Sequence, residues 1–228
     1  TMNLLTDSIL RVRTPEGADT VSLPELLALL GEDRVESLPG LQRHQEDVFH
    51  IFCCYLAGAV LVRTGESSPK QTADFWREGI RTLTRQEGCE DDSAWTLVVD
   101  DPTKPAFMQS PVASETVFAN EYKLKAKTTD AMDVLQTAKN HDVKSSKAAG
   151  TEAEQWVIAL ISINGMVGYV GVGNYGIARM SGGFGSRVCI DWRKSFRIGN
   201  RFIHNVTRLT LLREALLSEP YPYTAAGS

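Results

Sequence analysis

Between His44 and Arg63 the chain carries a stretch that limits every fold open to it. Val48, Phe49, Ile51, Phe52, Tyr55, Leu56, Ala59, Val60 and Leu61 recur at helical spacing and lie nearly all round the helix they predict. A helix that is apolar on most sides belongs inside a domain, so the neighbouring elements must be built to cover it. No stretch offers the ~18 uninterrupted apolar residues of a membrane span. At 228 residues the chain is long enough to supply a cover of its own.

The elements predicted around it are mostly helices. Ile9–Arg13 reads as a short strand and Thr14-Pro15-Glu16-Gly17 as a turn. Ser22, with Pro24 in the first turn and Glu25 three residues on, opens a helix over Leu23–Leu30 that stops at Gly31. Ser68-Pro69 caps a helix to about Gln86, with Phe75, Trp76, Ile80 and Leu83 on one face. Gly88 to Ser93 is an acidic loop, and Trp95–Val99 reads as a strand ending in Asp100-Asp101-Pro102. Two prolines bracket an extended, packed loop over Lys104–Pro111. Thr129 or Asp130 caps a helix to about Lys139. Residues 152–168 repeat Trp156, Val157, Leu160, Ile161, Met166 and Val167 at helical spacing, and a last helix covers roughly Asn205–Leu217. The pattern predicts an α+β fold over residues 1–228, predominantly helical with small antiparallel sheets.

Cys53, Cys54, Cys89 and Cys189 lack zinc-ligand spacing and read as buried thiols of a reducing compartment. With no basic-then-apolar leader at the N-terminus, the expected location is cytoplasmic. His44 and His50 flank the apolar helix as satisfied or exposed side chains rather than ligands. Asp100 and Asp101 are explained by the sharp turn out of the strand. No metal or cofactor is expected.

Charge is distributed unevenly. Residues 1–138 carry a net −9 and residues 139–228 a net +5, which together make the overall −4. The balance argues against indiscriminate nucleic-acid binding, whereas the asymmetry suggests that the second part meets something anionic. That part contains Gly171–Arg187, which holds six of the chain's eighteen glycines together with Tyr175, Phe184, Arg179 and Arg187. Glycine permits close backbone approach, and arginine offers a planar fork of donors to phosphates or base edges.

Three chemistries fit fragments of this region. Gly171-x-Gly173-x-x-Gly176, with Asp191 about twenty residues on, matches a dinucleotide-binding fingerprint. A long helix precedes it, however, where a strand is required, and Gly182, Gly183 and Gly185 would break the helix that should follow. His141-Asp142 is an adjacent pair of the kind that ligates a metal in phosphohydrolases, but only His44, His50 and His204 remain as further histidines. Nucleic-acid binding draws on more residues: Lys139, Lys144 and Lys147 before the 152–168 helix, and Arg179, Arg187, Arg193, Lys194 and Arg197 after it. About sixteen helical residues would set the two loops roughly 25 Å apart. On composition alone, a basic face that aids solubility accounts for the same residues.

Asn3-Leu4-Leu5-Thr6-Asp7 with Val12-Arg13, the segment Pro105-Ala106-Phe107-Met108-Gln109, the polar loop 140–150 and a helix leading into a glycine-rich stretch occur here in that order. Over residues 3–190 the chain resembles CasA, the large subunit of the type I-E CRISPR surveillance complex (Cascade). The resemblance implies a non-catalytic subunit that recognises the protospacer-adjacent motif in duplex DNA, largely from the minor groove. It also implies help in opening the duplex, contact with the guide RNA 5′ handle, association with the other Cascade subunits, and docking of a helicase-nuclease. By position, the family's guide- and motif-reaching loop resembles Asn140–Gly150, with Asn140, His141, Asp142 and Val143 at its tip and Lys144 and Lys147 behind. The family's glycine loop resembles Gly173–Gly183, with Gly173, Asn174, Tyr175 and Gly176 at its start, Gly176 as the nearest match, and Arg179 where members tend to carry a basic residue. Arg187 closes the same basic set. Family members are about twice as long and end in a four-helix bundle, so the chain resembles an N-terminal domain, and no membrane contact is implied. Ala113–Lys127 has no clear counterpart.

Overall fold

The apolar stretch forms one long helix, α2 (Arg43–Thr64), which ends where Gly65 turns left-handed at φ 79°. A computed structural model of the chain describes residues 2–85, 91–109, 111–122, 128–129, 152–166 and 195–212. Within these the fold is α+β and mostly helical, with six α-helices and one two-stranded antiparallel sheet. The chain divides into two compact units. Among the described residues, one is built from 4–85, 91–92 and 195–212, the other from 2–3, 93–109, 111–122, 128–129 and 152–166.

The first unit surrounds α2. The other helices are α1 (Leu23–Gly31), α3 (Ala73–Thr84) and α6 (Ile198–Leu211); α3 and α6 each pack against both α1 and α2. Among the described residues α2 alone is long and apolar enough to cross a membrane, but Val48, Phe49, Cys53, Ala57, Val60 and Leu61 are buried within this unit. Its burial is one-sided. Tyr55 is 60% exposed and Ala59 is also on the surface, so the expectation of a helix covered nearly all round is corrected to one with an open flank.

Two strands, β1 (Leu10–Thr14) and β2 (Gly17–Val21), pair from Leu10↔Val21 to Thr14↔Gly17. The expected strand lies within one residue of β1. Strand β2 was not legible, because only Val21 of Gly-Ala-Asp-Thr-Val is buried and the alternation that marks a half-buried strand is missing. The outer edge of β2 is blunted where the Thr20 N–H turns to the Asp19 carboxylate at 2.8 Å. At the start of α1 both the backbone N–H and the hydroxyl of Ser22 donate to Glu25 at 2.7 Å.

Gly31 does not stop α1 by a left-handed turn. It is the last helical residue, and the positive φ falls on Asp33, at 56°. What Gly31 provides is space: a Cβ there would overlap the Pro69 carbonyl oxygen. Pro69 is therefore buried against α1 and is not part of a cap. Helix α3 starts four residues after the expected position, where Thr72 Oγ1 accepts from the Phe75 N–H at 3.2 Å. Helix α6 starts seven residues earlier than expected, at Ile198, and buries Ile198, Arg201, Phe202 and Val206.

The second unit has its own core. Trp95–Val99 is not a strand: Ser93–Trp95 is a 3-10 turn, and only the single bridge Asn3↔Thr96 follows. Thr96 and Leu97 still bond on two sides, with Leu97 N–H donating to Met2 O at 2.9 Å and Phe107 N–H to Thr96 O at 2.8 Å. Helix α4 (Glu115–Glu121) lies within Ala113–Lys127, the segment without a counterpart in the resembled family, and is capped by Ser114. Helix α5 (Ala153–Met166) lies within the expected 152–168, with Val157, Ile158, Ala159, Leu160, Ile161 and Ser162 all buried. Six consecutive buried residues mean that α5 is covered on every side along that length.

Candidate nucleic-acid interface

Two stretches were expected to meet nucleic acid. Asn140, His141, Asp142, Val143, Lys144 and Lys147, and Gly173, Asn174, Tyr175, Gly176, Arg179 and Arg187, all lie outside the described residues. So do Lys139, Asp191, Arg193 and Lys194, and with them the fingerprint glycines and the His141-Asp142 pair. The described structure supplies the helix between the two stretches and the elements that hold it.

Helix α5 has 14 residues, which sets its ends about 20 Å apart, somewhat less than the expected span. Its last turn meets the segment Pro105–Gln109. There Ala106 and Gln109 exchange backbone hydrogen bonds of 3.2 and 2.9 Å around Met108, whose φ is 56°. The Gln109 amide donates to Leu97 O at 3.0 Å and to Phe107 O at 3.3 Å, and the Phe107 ring lies 5.8 Å from that of Trp95. Asn164 of α5 donates to Leu160 O at 2.8 Å and to Met108 O at 3.5 Å. The extended, packed loop expected over 104–111 is thus a tight turn joined to the helix. Asn164 was not singled out in the sequence, where a polar residue among Ile161, Ile163 and Met166 gives only a weak signal.

Asp101 is occupied by its own turn. Its carboxylate accepts from the Thr103 N–H at 2.9 Å and the Thr103 hydroxyl at 2.6 Å, and these bonds hold its pKa below the ordinary 3.8. This is the structural reading of Asp100-Asp101-Pro102.

Two of the second part's cations are engaged internally. Arg197, expected to face nucleic acid, donates to Asp33 O at 3.0 Å and pairs with the Asp33 carboxylate at 3.2 Å. Arg201 is 3% exposed and lies 2.9 Å from Asp47 and 3.9 Å from Glu46. Arg197 thus ties the start of α6 to the turn after α1 while its side chain stays 65% exposed. Both arginines stand at helical spacing with Ile198, Phe202 and Val206, the signal that could have shown them on a packed helix.

His50 is buried on α2. Its Nε2 lies 3.0 Å from Asn205 Nδ2 and 3.4 Å from Cys54 Sγ. Cysteine, histidine and asparagine together suggest a nucleophilic triad, but that mechanism needs the thiol and the amide on opposite ring nitrogens. Here both approach the same nitrogen, so the group serves the α2–α6 contact and has no relay geometry. Cys53 beside it is fully enclosed, and burial pushes its thiol pKa well above the ordinary 9.0.

No family model, curated protein or solved structure matches the chain.

Proposed function

We propose that the chain is the N-terminal part of a CasA-type large subunit: a non-catalytic component of an RNA-guided DNA-surveillance complex that acts in the cytoplasm. In that role it reads the protospacer-adjacent motif from the minor groove, assists strand opening beside the guide RNA and offers a docking surface to a helicase-nuclease. One observation carries the reading. A buried helix, α5, joined to the Pro105–Gln109 turn, separates a Lys-bearing stretch from a Gly- and Arg-rich one. A buried helical spacer of about 20 Å between two such stretches suits two separate contacts on one polyanion. The opening motif also agrees with a framework role, since Leu4 and Leu5 are both buried.

In this reading Arg179 and Arg187 contact phosphates and the Gly173–Gly176 backbone approaches the minor groove. Lys144 and Lys147 hold the guide end, with Asn140–Val143 at the tip.

The test is co-expression with the neighbouring subunits and guide RNA, followed by gel shifts on protospacer duplexes with randomised flanking sequence. Co-purification and flank-dependent binding are expected. Gly176→Asp should abolish flank dependence, and Arg179→Ala should weaken binding and lower the salt slope by about one. Unchanged binding in both variants would show the residue assignment to be wrong. Failure to co-purify would remove the function itself.

A further inference from the structure

Helix α2 has a face that its own unit leaves open. Phe52, Tyr55, Ala59 and Val62 stand three or four residues apart, so they fall on one side of the helix, and Ile51 borders them. Tyr55 and Ala59 are exposed, and Ile51, Phe52 and Val62 are half-buried. Helix α6 runs beside α2, with Leu209 side-chain atoms 3.7 Å from where a Gly58 Cβ would be. Leu211 and Leu212, 72% and 55% exposed, add further apolar surface at its end.

Two cations border the stripe. Arg63 follows Val62 and Arg208 precedes Leu209; both are exposed, and among the described residues neither pairs with an acid. Their places in the last turns of α2 and α6 suit the helix dipoles, but their guanidinium donors stay unused. Glu66, past the end of α2, bonds to neither.

This surface selects among partners. A polyanion would use the arginines and leave the apolar stripe without a contact. A bilayer takes up a helix whose whole apolar face is free, whereas most of the apolar residues of α2 are buried in its own unit. Side chains repeating every three or four residues are the pattern by which one helix packs along another. Guanidinium groups at the border favour carboxylates opposite them.

We propose that Phe52, Tyr55, Ala59 and Val62 form a docking seam for an amphipathic helix of a neighbouring protein subunit, its apolar side laid along α2 and its acidic residues facing Arg63 and Arg208. The inference rests on the multisubunit reading above. It assigns the seam no contact with nucleic acid.

The experiment uses the full chain co-expressed with the neighbouring subunits and guide RNA. With Tyr55→p-benzoylphenylalanine, irradiation of the purified complex should cross-link the chain to one partner subunit, at a peptide in which apolar residues recur at helical spacing beside Asp or Glu. Tyr55→Ala should leave the circular dichroism of the chain unchanged and weaken its association with the other subunits about tenfold, as loss of an aromatic anchor does. Arg63→Glu with Arg208→Glu should weaken association most at low salt, where charge acts over the longest range. A cross-link to RNA or DNA, a cross-link to a segment without acidic residues, no cross-link in an assembled complex, or wild-type association in both variants overturns the seam and leaves the function proposed above intact. Tyr55-dependent flotation of the chain with phosphatidylglycerol vesicles assigns the stripe to lipid and overturns the seam as well. A wild-type chain that fails to co-purify overturns both. If Tyr55→Ala unfolds the chain, the cross-link and the charge reversals decide.

Discussion

Arg201 of α6 meets Asp47 of α2 at 2.9 Å while only 3% of its own side chain is exposed. One turn further along, His50 faces Asn205, and beyond that Leu209 packs within van der Waals distance of where a Gly58 Cβ would be. Both numberings ascend, so α2 and α6 run parallel. The pair is asymmetric in its energetics. Asp47 and Glu46 keep access to water, with side chains 34% and 19% exposed, whereas Arg201 does not. Removing the cation leaves acids that can hydrate. Removing the acids withdraws the carboxylates that face a buried charge. Arg201→Met is therefore expected to cost about 1–2 kcal/mol and the double variant Glu46→Ala, Asp47→Ala about 3–5 kcal/mol. Urea denaturation followed by circular dichroism checks the order; the reverse order would refute it.

Gly79 on α3 lies against α2 so closely that a Cβ would overlap Val60 Cγ1. Alanine gains about 1 kcal/mol in helix propensity. Val60 is fully buried and branched at Cβ, and has nowhere to move. Gly79→Ala should destabilise by about 1–3 kcal/mol net. Combined with Val60→Ala it should cost less than the two single changes added together, because the second substitution opens the space that the first one needs. Additive losses in thermal unfolding would contradict this packing.

Burial raises the Cys53 thiol pKa well above the ordinary 9.0. Below that value the thiol is protonated in folded and unfolded chains alike, and stability does not depend on it. Above it the unfolded thiol ionises while the folded one keeps its proton. Stability therefore falls as pH rises from 9.0 towards the folded pKa. Native protein at pH 8.5 should leave Cys53 unmodified by iodoacetamide, and denatured protein should be alkylated there, as read by peptide mass spectrometry. Rapid native labelling would show the site to be open.

Asp101 is held below the ordinary 3.8 first by the Thr103 hydroxyl and then by the Thr103 N–H. Thr103→Ala removes the larger contribution, so the Asp101 carboxyl should titrate closer to 3.8 in a carbon-detected NMR titration. Whatever the turn contributes to stability is present above the ordinary pKa and lost as pH falls through the folded one. A titration unaffected by the substitution would assign the shift elsewhere.

The parts of the fold legible in the sequence were those in which burial and periodicity coincide. Helices α2 and α5 announce themselves through runs such as Val48–Leu61 and Val157–Ile161, and α1 through Ser22 with Glu25. Strand β2 was hidden because an exposed ribbon has no apolar alternation. Ser68-Pro69 imitated a cap, although Pro69 is buried against Gly31 and the true cap is Thr72. The early half of α6 is obscured by Arg197, whose charge suggests an external partner, and by Arg201, a buried cation that Asp47 faces. Sequence position shows which residues are basic, but not which already have an acid waiting across the fold. The stretches 140–147 and 173–187 lie outside the described residues, so the candidate site is legible only in its framework: α5, the Met108 turn and the bond between them.

The helical unit is discontinuous: α1, α2 and α3 are encoded before residue 92, and α6, which packs on both α1 and α2, only after residue 195. As the chain emerges from a ribosome, three helices must wait with an apolar groove uncovered while about a hundred intervening residues are translated. Synthesis therefore has a vulnerable interval, and chaperone dependence should end once α6 clears the exit tunnel.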